Sequence, residues 1–247
     1  MNAVRRLRSG ERTNPDGMPI RNKLLLAITD SDFAAIRPHL EFLKLPLHFA
    51  MHEPNEKVRF AYFVNGGLAS IVVVTKDGRN VEAGVAGCEG FAGAPLLIGL
   101  PRSPLREQMQ IAGEGFRVEG RAFQAVLSKR DGLRTSLTRY AVILGMQVAQ
   151  TAACNRLHEV SHRLARWLLI AQDRLDSAIL PITHEFLATM LGSDRPSVSV
   201  AIERLQKKHV LSSRRGVLKI LNRKLLEKAA CECYQAIRQF DGQLGLR

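Results

Sequence analysis

The sequence predicts an α+β protein with an N-terminal antiparallel β-roll (jelly-roll-like), a long helix and a C-terminal winged helix-turn-helix. Three observations predict this fold class. Short β-prone runs separated by turn signals fill much of the first half of the 247-residue chain. A long segment with apolar residues at helical spacing follows them. Two short helical segments joined at a glycine then precede a basic hairpin.

We expect five segments along the chain. Residues 1–22 are basic and rich in Asn, Gly and Pro, which is typical of a flexible arm. The β-roll covers residues 23–130 and begins with helical spacing over 23–43. The long helix, a candidate dimerisation helix, covers 131–156. The winged helix-turn-helix covers 157–228, and a helical tail covers 229–247.

Turn signals divide the β-roll. Apolar runs at 60–64 and 71–74 flank Asn65-Gly66-Gly67, and Lys76-Asp77-Gly78 follows the second run. Asn-Gly and Asp-Gly pairs between apolar runs are typical of hairpin turns. The sequence therefore predicts a hairpin turn at each of these two places.

The long helix is apolar over much of its circumference, which is more than one packing partner needs. One stripe is predicted to form a dimer interface, and its members are Leu133, Leu137, Tyr140, Leu144, Val148 and Thr151. A second set lies beside it: Val142, Ile143, Met146, Ala149 and Ala153. The alternative is a helix buried in the core of one protomer. The next helix, around 160–175, is predicted to bury Leu164, Trp167 and Leu168 and to expose Arg163, Arg166 and Arg174.

Capping residues define the helix-turn-helix. Thr183 is a candidate N-cap of the first helix, and Gly192 ends that helix. Asp194 is a candidate N-cap of the second helix, with Pro196 in its first turn. A basic hairpin over 212–216 then forms the predicted wing.

Positive charge is concentrated in this segment. The formal net charge is +13, and nine basic residues against one acid lie between Arg195 and Lys224. This favours a polyanionic partner, and in this helical context it favours double-stranded DNA. We predict that Arg195 contacts guanine, while Lys207, Lys208, Arg214 and Arg215 contact phosphates. The predicted DNA-binding residues are Thr183, Asp194, Arg195, Pro196, Ser197, Ser199, Val200, Arg204, Lys207, Lys208, Arg214 and Arg215.

Residues 183–211 and 155–170 resemble the Crp/Fnr family of bacterial transcription regulators, and so does the order of β-roll, long helix and winged helix. The resemblance implies a homodimer on a palindromic operator, an effector in the β-roll, Arg195 as a base-reading residue and RNA polymerase as a further partner. Pro196 and Val200 stand where better-known members carry charged base-reading side chains. A different operator is therefore expected.

The effector is not identified by the sequence. Arg102-Ser103 resembles half of the family's cyclic-nucleotide motif, and Glu89-Gly90 stands near the other half. The predicted effector-binding residues are Glu89, Gly90, Arg102 and Ser103. The position ten residues before Arg102 is Ala92 and not the carboxylate that would meet a ribose. Binding of a cyclic nucleotide in the usual manner is therefore not expected.

No metal site is predicted. The iron–sulfur branch of the family is recognised by a cysteine-rich N-terminus. The first cysteine of this chain is Cys88, so no iron–sulfur cluster is expected. Cys231 and Cys233 form either a redox or metal pair or part of a helix contact, and the latter is favoured. The sequence does not exclude haem as a cofactor, and its candidate ligands are His39, His48, His52 and His158.

Two other functions compete. A metal-binding cupin-type enzyme would use His48, His52 and Glu53, and an architectural protein would bind DNA regardless of sequence. No P-loop or dinucleotide motif is present, and no enzyme activity is expected. The sequence has no signal peptide or membrane-spanning run, which predicts a cytoplasmic protein with reduced thiols and no membrane partner.

Overall fold

The computed structural model describes residues 12–245. The chain divides into two compact units. Of the described residues, unit 1 holds 12–69, Ala86–Ile143, Leu244 and Gly245, and unit 2 holds Ser70–Val85 and Leu144–Gln243. Among the described residues, no helix is both long and apolar enough to cross a membrane.

An antiparallel sheet confirms the predicted β-roll region. Its strand order is β1-β6-β3-β4, with β2 beside β6 and β5 beside β3. The strands are β1 (Glu41–Leu45), β2 (Ala50–His52), β3 (Phe60–Val74), β4 (Asn80–Ala86), β5 (Phe91–Ala92) and β6 (Leu105–Glu119).

One predicted turn is wrong. Strand β3 runs straight through Asn65-Gly66-Gly67, because Asn65 is buried and bonded to another segment. Its side chain accepts hydrogen bonds from the backbone N–H groups of Arg21 and Asn22 at 2.6 and 3.0 Å. A Cβ on Gly67 would lie 2.5 Å from the carbonyl oxygen of Ile111. The glycine therefore permits close approach of β6 and does not reverse the chain.

The second predicted turn is confirmed. The backbone N–H of Thr75 donates to the carbonyl of Arg79 at 2.9 Å, and Gly78 has a φ of +83°. This turn closes the hairpin of β3 and β4. The outer part of the hairpin, from Ser70 to Val85, belongs to unit 2.

Four helices accompany the sheet: α1 (Lys23–Ala27), α2 (Asp30–Ile36), α3 (Gly120–Leu127) and α4 (Asp131–Leu157). The helical spacing predicted over 23–43 is divided in two. Thr29 caps a new helix by accepting a hydrogen bond from the N–H of Asp32, and β1 begins at Glu41. Helix α4 begins at the predicted residue and ends one residue after the predicted end.

The predicted flexible arm is wrong for residues 12–22, and residues 1–11 lie outside the described part of the chain. The Arg12 side chain is buried and donates to the carbonyls of Leu25 and Ile28 at 2.5 and 3.0 Å. It also forms an ion pair with Asp30 at 2.6 Å. Asn22 is fully buried as well. These bonds to distant residues hold the segment in place within unit 1.

Unit 2 contains the remaining elements. Its helices are α5 (Val160–Leu175), α6 (His184–Leu191), α7 (Arg195–Lys207), α8 (Arg223–Ala229) and α9 (Cys233–Gln243). Its small sheet has the order β7-β9-β8, from β7 (Ile179–Leu180), β8 (Leu211–Arg214) and β9 (Val217–Ile220). Helix α5 contacts all four of the other helices.

The predicted exposure of three α5 arginines is wrong. Arg163, Arg166 and Arg174 are all less than a tenth exposed. Arg163 donates to the carbonyl of Leu191, and Arg166 donates to the Thr151 hydroxyl at 3.0 Å. The hydrophobic pattern of α5 could not show this, because these acceptors lie on other elements of unit 2.

Unit 2 also buries a carboxyl group. Glu82 of β4 accepts hydrogen bonds from the Ser70 hydroxyl and from Nε1 of Trp167, the latter at 2.6 Å. Burial raises the pKa of Glu82 from 4.5 to about 7, although both hydrogen bonds act to lower it. Between pH 4.5 and 7 the folded chain therefore keeps a proton that the unfolded chain has lost.

This proton makes stability depend on pH. We expect the free energy of unfolding of the wild type to fall relative to that of Glu82→Gln as pH rises from 4.5 to 7, by about 3 kcal/mol. Urea denaturation at several pH values measures it. Glu56→Gln, at an exposed position, is the control and should follow the wild type. Parallel curves for wild type and Glu82→Gln would contradict the assignment.

Candidate nucleic-acid interface

Local capping bonds build the helix pair α6–α7, as predicted. The Thr183 hydroxyl accepts a hydrogen bond from the N–H of Phe186 at 3.1 Å. Gly192 ends α6 with a φ of +55°, in the left-handed region that glycine adopts without strain. The Asp194 carboxylate accepts from the N–H of Ser197 at 2.8 Å and starts α7. The hydrogen bonds from the N–H and the hydroxyl of Ser197 lower the pKa of Asp194.

Helix α7 buries a single stripe, formed by Val198, Ala201, Ile202 and Leu205. Its opposite face is open. Arg195, Pro196, Val200 and Arg204 are exposed, and the exposed fraction of Val200 is 46%. An exposed face that combines apolar and basic groups suits the floor and walls of a DNA groove.

The wing is a tight hairpin, as predicted. Strands β8 and β9 pair from Leu211–Ile220 to Arg214–Val217. Arg215 and Gly216 form the turn with φ values of +49° and +79°. Arg214 and Arg215 are both exposed at its tip.

A histidine that the sequence analysis missed joins α6, α7 and the wing. The imidazole of His184 lies 3.0 Å from the Ser199 hydroxyl through Nδ1 and 3.0 Å from the Ser213 hydroxyl through Nε2. Burial, and then the charge of Arg195, lower the pKa of His184. A neutral imidazole donates one hydrogen bond and accepts the other. The bonds fix the wing relative to α7, and no local sequence signal announces them.

The basic side chains of the predicted DNA-binding segment differ in their ion-pair partners. Arg195 lies 3.8 Å from Glu185, and both side chains are mostly exposed, so this ion pair is weak. Lys207 pairs with Glu203 at 2.8 Å on the exposed surface. Arg223, at the edge of the basic segment, pairs with Asp173 and Glu227. Lys208, Arg214 and Arg215 are exposed.

Some predicted contact residues also serve the fold. Thr183 and Asp194 are helix caps, the Ser197 hydroxyl donates to Asp194 at 2.7 Å, and the Ser199 hydroxyl is bonded to His184. Their part in DNA binding stays a prediction. The side chains of Pro196 and Val200 are apolar, so contact with DNA would not break a hydrogen bond of the fold.

Comparison with known proteins agrees with this geometry. Residues 162–229 match the family model of the Crp-like helix-turn-helix domain. The fold is that of a transcriptional regulator of the CRP family from Thermus thermophilus, with 23% identity, a TM-score of 0.62 and coverage of 76% of this chain and 96% of that one. No protein of curated function matches the chain.

Two further structures share the fold. FixK2 from Bradyrhizobium japonicum has 15% identity and a TM-score of 0.65, over 78% of this chain and 98% of that one. A regulator of the Crp/Fnr family from Eubacterium rectale has 15% identity and a TM-score of 0.65, over 82% and 94%.

The chain has the Crp/Fnr fold with a Crp-like helix-turn-helix domain.

In this Crp/Fnr fold the predicted effector-binding residues have structural partners of their own. Glu89 is mostly buried and accepts hydrogen bonds from the N–H of Gly87 at 3.0 and 3.2 Å. A Cβ on Gly90 would lie 2.1 Å from the Tyr140 hydroxyl. Arg102 is exposed and donates to the carbonyl of Asn55.

The candidate metal ligands of the β-roll face different partners. His48 is exposed, and Glu53 pairs with Arg106 at 2.9 Å. His52 is buried 3.4 Å from the Glu107 carboxyl. Burial lowers the pKa of His52 to about 4 and raises that of Glu107 to about 7. The His48, His52 and Glu53 set predicted for a cupin is therefore not assembled.

Most of the predicted dimer stripe packs inside the protomer, and Val148 is half-buried. Leu133, Leu137, Tyr140 and Leu144 are each less than a tenth exposed within one protomer, and Thr151 is also buried. Most of the second set faces solvent: Val142 and Met146 are 53% and 46% exposed, and Ala149 and Ala153 are exposed, whereas Ile143 is buried. Helical periodicity found both stripes but did not show which one packs inside the protomer.

The His184 bridge can be tested by substitution. We expect His184→Ala to lower the free energy of unfolding by about 1–2 kcal/mol, because it removes two hydrogen bonds at a half-buried position. Thr189→Ala is the control on the same helix, since its hydroxyl bonds only to the backbone of α6. Urea denaturation measures both variants. Equal stability of His184→Ala and wild type would show that the bridge contributes nothing.

Proposed function

We propose that this protein is a cytoplasmic, sequence-specific DNA-binding transcription regulator that acts as a homodimer and is not an enzyme. The observation that carries the proposal is the exposed face of α7, which begins at Arg195 beside a wing tipped by Arg214 and Arg215. A recognition helix of this kind enters the major groove with its N-terminal residues against the bases.

Each exposed group has a proposed role. Arg195 donates to guanine O6 and N7, and Val200 or Pro196 contacts a thymine methyl. Arg204, Lys207, Lys208, Arg214 and Arg215 bind phosphates and fix the register without reading sequence. Ser197 and Ser199 contribute hydroxyls beside the caps that they already support. The absence of charged side chains at Pro196 and Val200 supports an operator unlike that of the better-known relatives.

The homodimer rests on the exposed apolar stripe of α4. Val142, Met146, Ala149 and Ala153 follow steps of four, three and four residues, which is the spacing of a two-helix seam. The alanines and Gly145 permit close approach of a second helix. A symmetric dimer places two copies of α7 on one palindromic operator.

The β-roll is the proposed site of regulation. We propose that a small-molecule effector binds the β-roll, with the exposed Arg102 and the half-buried Ser103 as candidates for contact with an anionic group. The chain passes between the units after Ala69, Val85, Ile143 and Gln243, so these crossings offer covalent routes for a signal. RNA polymerase is the proposed partner once DNA is bound.

Selection of bound sequences from random duplex DNA tests the function. A regulator should enrich one palindrome and prefer it to random DNA by a factor of about 10³ or more at moderate salt. The competing function, sequence-indifferent architectural binding, would bind but enrich nothing. Repeating the selection with a panel of small anions and nucleotides tests the effector.

Arg195 should read one base pair. We expect Arg195→Ala to lose roughly 1–3 kcal/mol of affinity for the selected operator and to relax the preference at one position in each half-site. Arg214→Ala is the matched control: it should weaken all sequences alike and reduce the salt slope by about 1. If Arg195→Ala kept the operator affinity of the wild type, the assignment of α7 as the base-reading helix would fail.

The α4 stripe should hold the dimer. We expect Met146→Glu to raise the dimer dissociation constant by at least about 100-fold, because two carboxylates would meet across the twofold axis. Ala152→Glu, at an exposed position on another face of α4, should leave the dimer intact. Sedimentation equilibrium measures both. A dimeric Met146→Glu variant would place the interface elsewhere.

A further inference from the structure

Three of the four cysteines meet in unit 2. Sγ of Cys154, Cys231 and Cys233 and a ring nitrogen of His158 all lie within 4.8 Å of one another. The two cysteines Cys154 and Cys231 are 3.5 Å apart through their sulfurs, and Sγ of Cys233 is 3.7 Å from Nδ1 of His158. The sequence predicts that Cys231 and Cys233 form a pair but does not connect them to Cys154, which lies far away along the chain.

These distances fit one tetrahedral ion. With metal–sulfur bonds of about 2.3 Å and metal–nitrogen bonds of about 2.0–2.1 Å, the ligand atoms of a tetrahedron are roughly 3.8 Å (S···S) and 3.6 Å (S···N) apart. A disulfide would need its sulfurs at about 2.05 Å. An iron–sulfur cluster divides its thiolates among several irons and so spreads them wider than one ion does. The spacing therefore favours a single ion.

The elements hold the ligands in place. Cys154 and His158 are four residues apart at the C-terminal end of α4, so they lie on one helical face. Cys231 and Cys233 flank the start of α9. Cys154, Cys231 and Cys233 are all less than a tenth exposed, and His158 is the ligand nearest to solvent.

Outer hydrogen bonds orient the ligands as metal sites require. Nε2 of His158 lies 3.1 Å from the Glu232 carboxylate, which leaves Nδ1 directed at the sulfurs. A carboxylate behind a ligating histidine is the usual second partner in zinc sites. Nε2 of Gln150 donates to Sγ of Cys233 at 3.1 Å. A hydrogen bond of this kind stabilises a thiolate more than a thiol.

The surrounding charge also fits. Three thiolates, one neutral imidazole and a divalent ion sum to one negative charge. Arg163 and Arg166 are buried close enough to interact electrostatically with these sulfurs. Among the described residues neither arginine forms an ion pair. A zinc ion bound by three thiolates would place one net negative charge beside these two buried cations.

We propose that Cys154, His158, Cys231 and Cys233 bind one zinc ion, which fastens the start of α9 to the end of α4. Zinc prefers tetrahedral sites of three thiolates and one imidazole, and a closed set of four protein ligands is typical of a structural site. The site is separate from the α7 face and goes beyond the proposed function, so its metal content can be measured without DNA.

The test uses the full chain, purified under reducing conditions and exposed to zinc before gel filtration, with metals measured by mass spectrometry. We expect about one zinc per protomer. Cys231→Ser and Cys233→Ser should each lower the zinc content at least tenfold. Cys88→Ser, which alters the one cysteine outside the cluster, should keep the full content. Replacement by Co²⁺ should give the visible spectrum of a tetrahedral thiolate site.

Glu232→Gln keeps all four ligands, so weaker zinc binding by this variant cannot be attributed to misfolding caused by the loss of a cysteine. It should weaken zinc binding about 10- to 100-fold in competition with a chelator. The proposal is overturned by less than about a tenth of an equivalent of zinc in the wild type, or by full zinc content in Cys231→Ser. Stoichiometric iron with sulfide, or a Cys154–Cys231 disulfide without metal, would overturn it as well.

Discussion

Helix α5 lies among α6, α7, α8 and α9, and every side chain from Arg163 to Ala171 is buried. Two of these side chains are arginines, and a buried guanidinium is costly unless its N–H groups have acceptors. Arg163 finds one at the carbonyl of Leu191, at the C-terminal end of α6, where the helix dipole favours a cation. The arrangement of α6 against α5 follows from this bond as well as from apolar packing.

The position of α7 depends on the same core. Its apolar stripe packs on α5 and α6, so the face that carries Arg195 and Val200 must point outward. His184 then bonds α7 and the wing together. A stable arrangement of recognition helix and wing is what a protein needs to present several DNA contacts at once, because each contact that must first be ordered costs entropy.

Predictions from the sequence succeed where the cause is local. Helices α6 and α7 begin or end at Thr183, Gly192 and Asp194, whose capping hydrogen bonds span three or four residues. The wing turn depends on adjacent residues. Predictions fail where the partner is distant. Arg12 is held by carbonyls of α1 and the residue after it, Asn65 by the segment before α1, and Arg166 by Thr151 of α4. Local periodicity carries no information on such partners.

The same reasoning explains the long helix and the thiol cluster. Periodicity showed that α4 has two apolar stripes, but only the packing of Tyr140 and its neighbours showed which one is buried and which is mostly exposed. The cluster of Cys154, His158, Cys231 and Cys233 brings together the end of α4 and the start of α9, which are adjacent only in the folded chain. Sequence spacing identified Cys231 and Cys233 as a pair but did not connect them to Cys154 or His158.

The proposed dimer presents two copies of α7 to one operator. Hydroxyl-radical footprinting on a bound operator measures their placement directly. The account predicts two equivalent protected regions on one face of the duplex, with centres about one helical turn, or roughly 34 Å, apart. A single protected region, or uniform protection along the DNA, would contradict it.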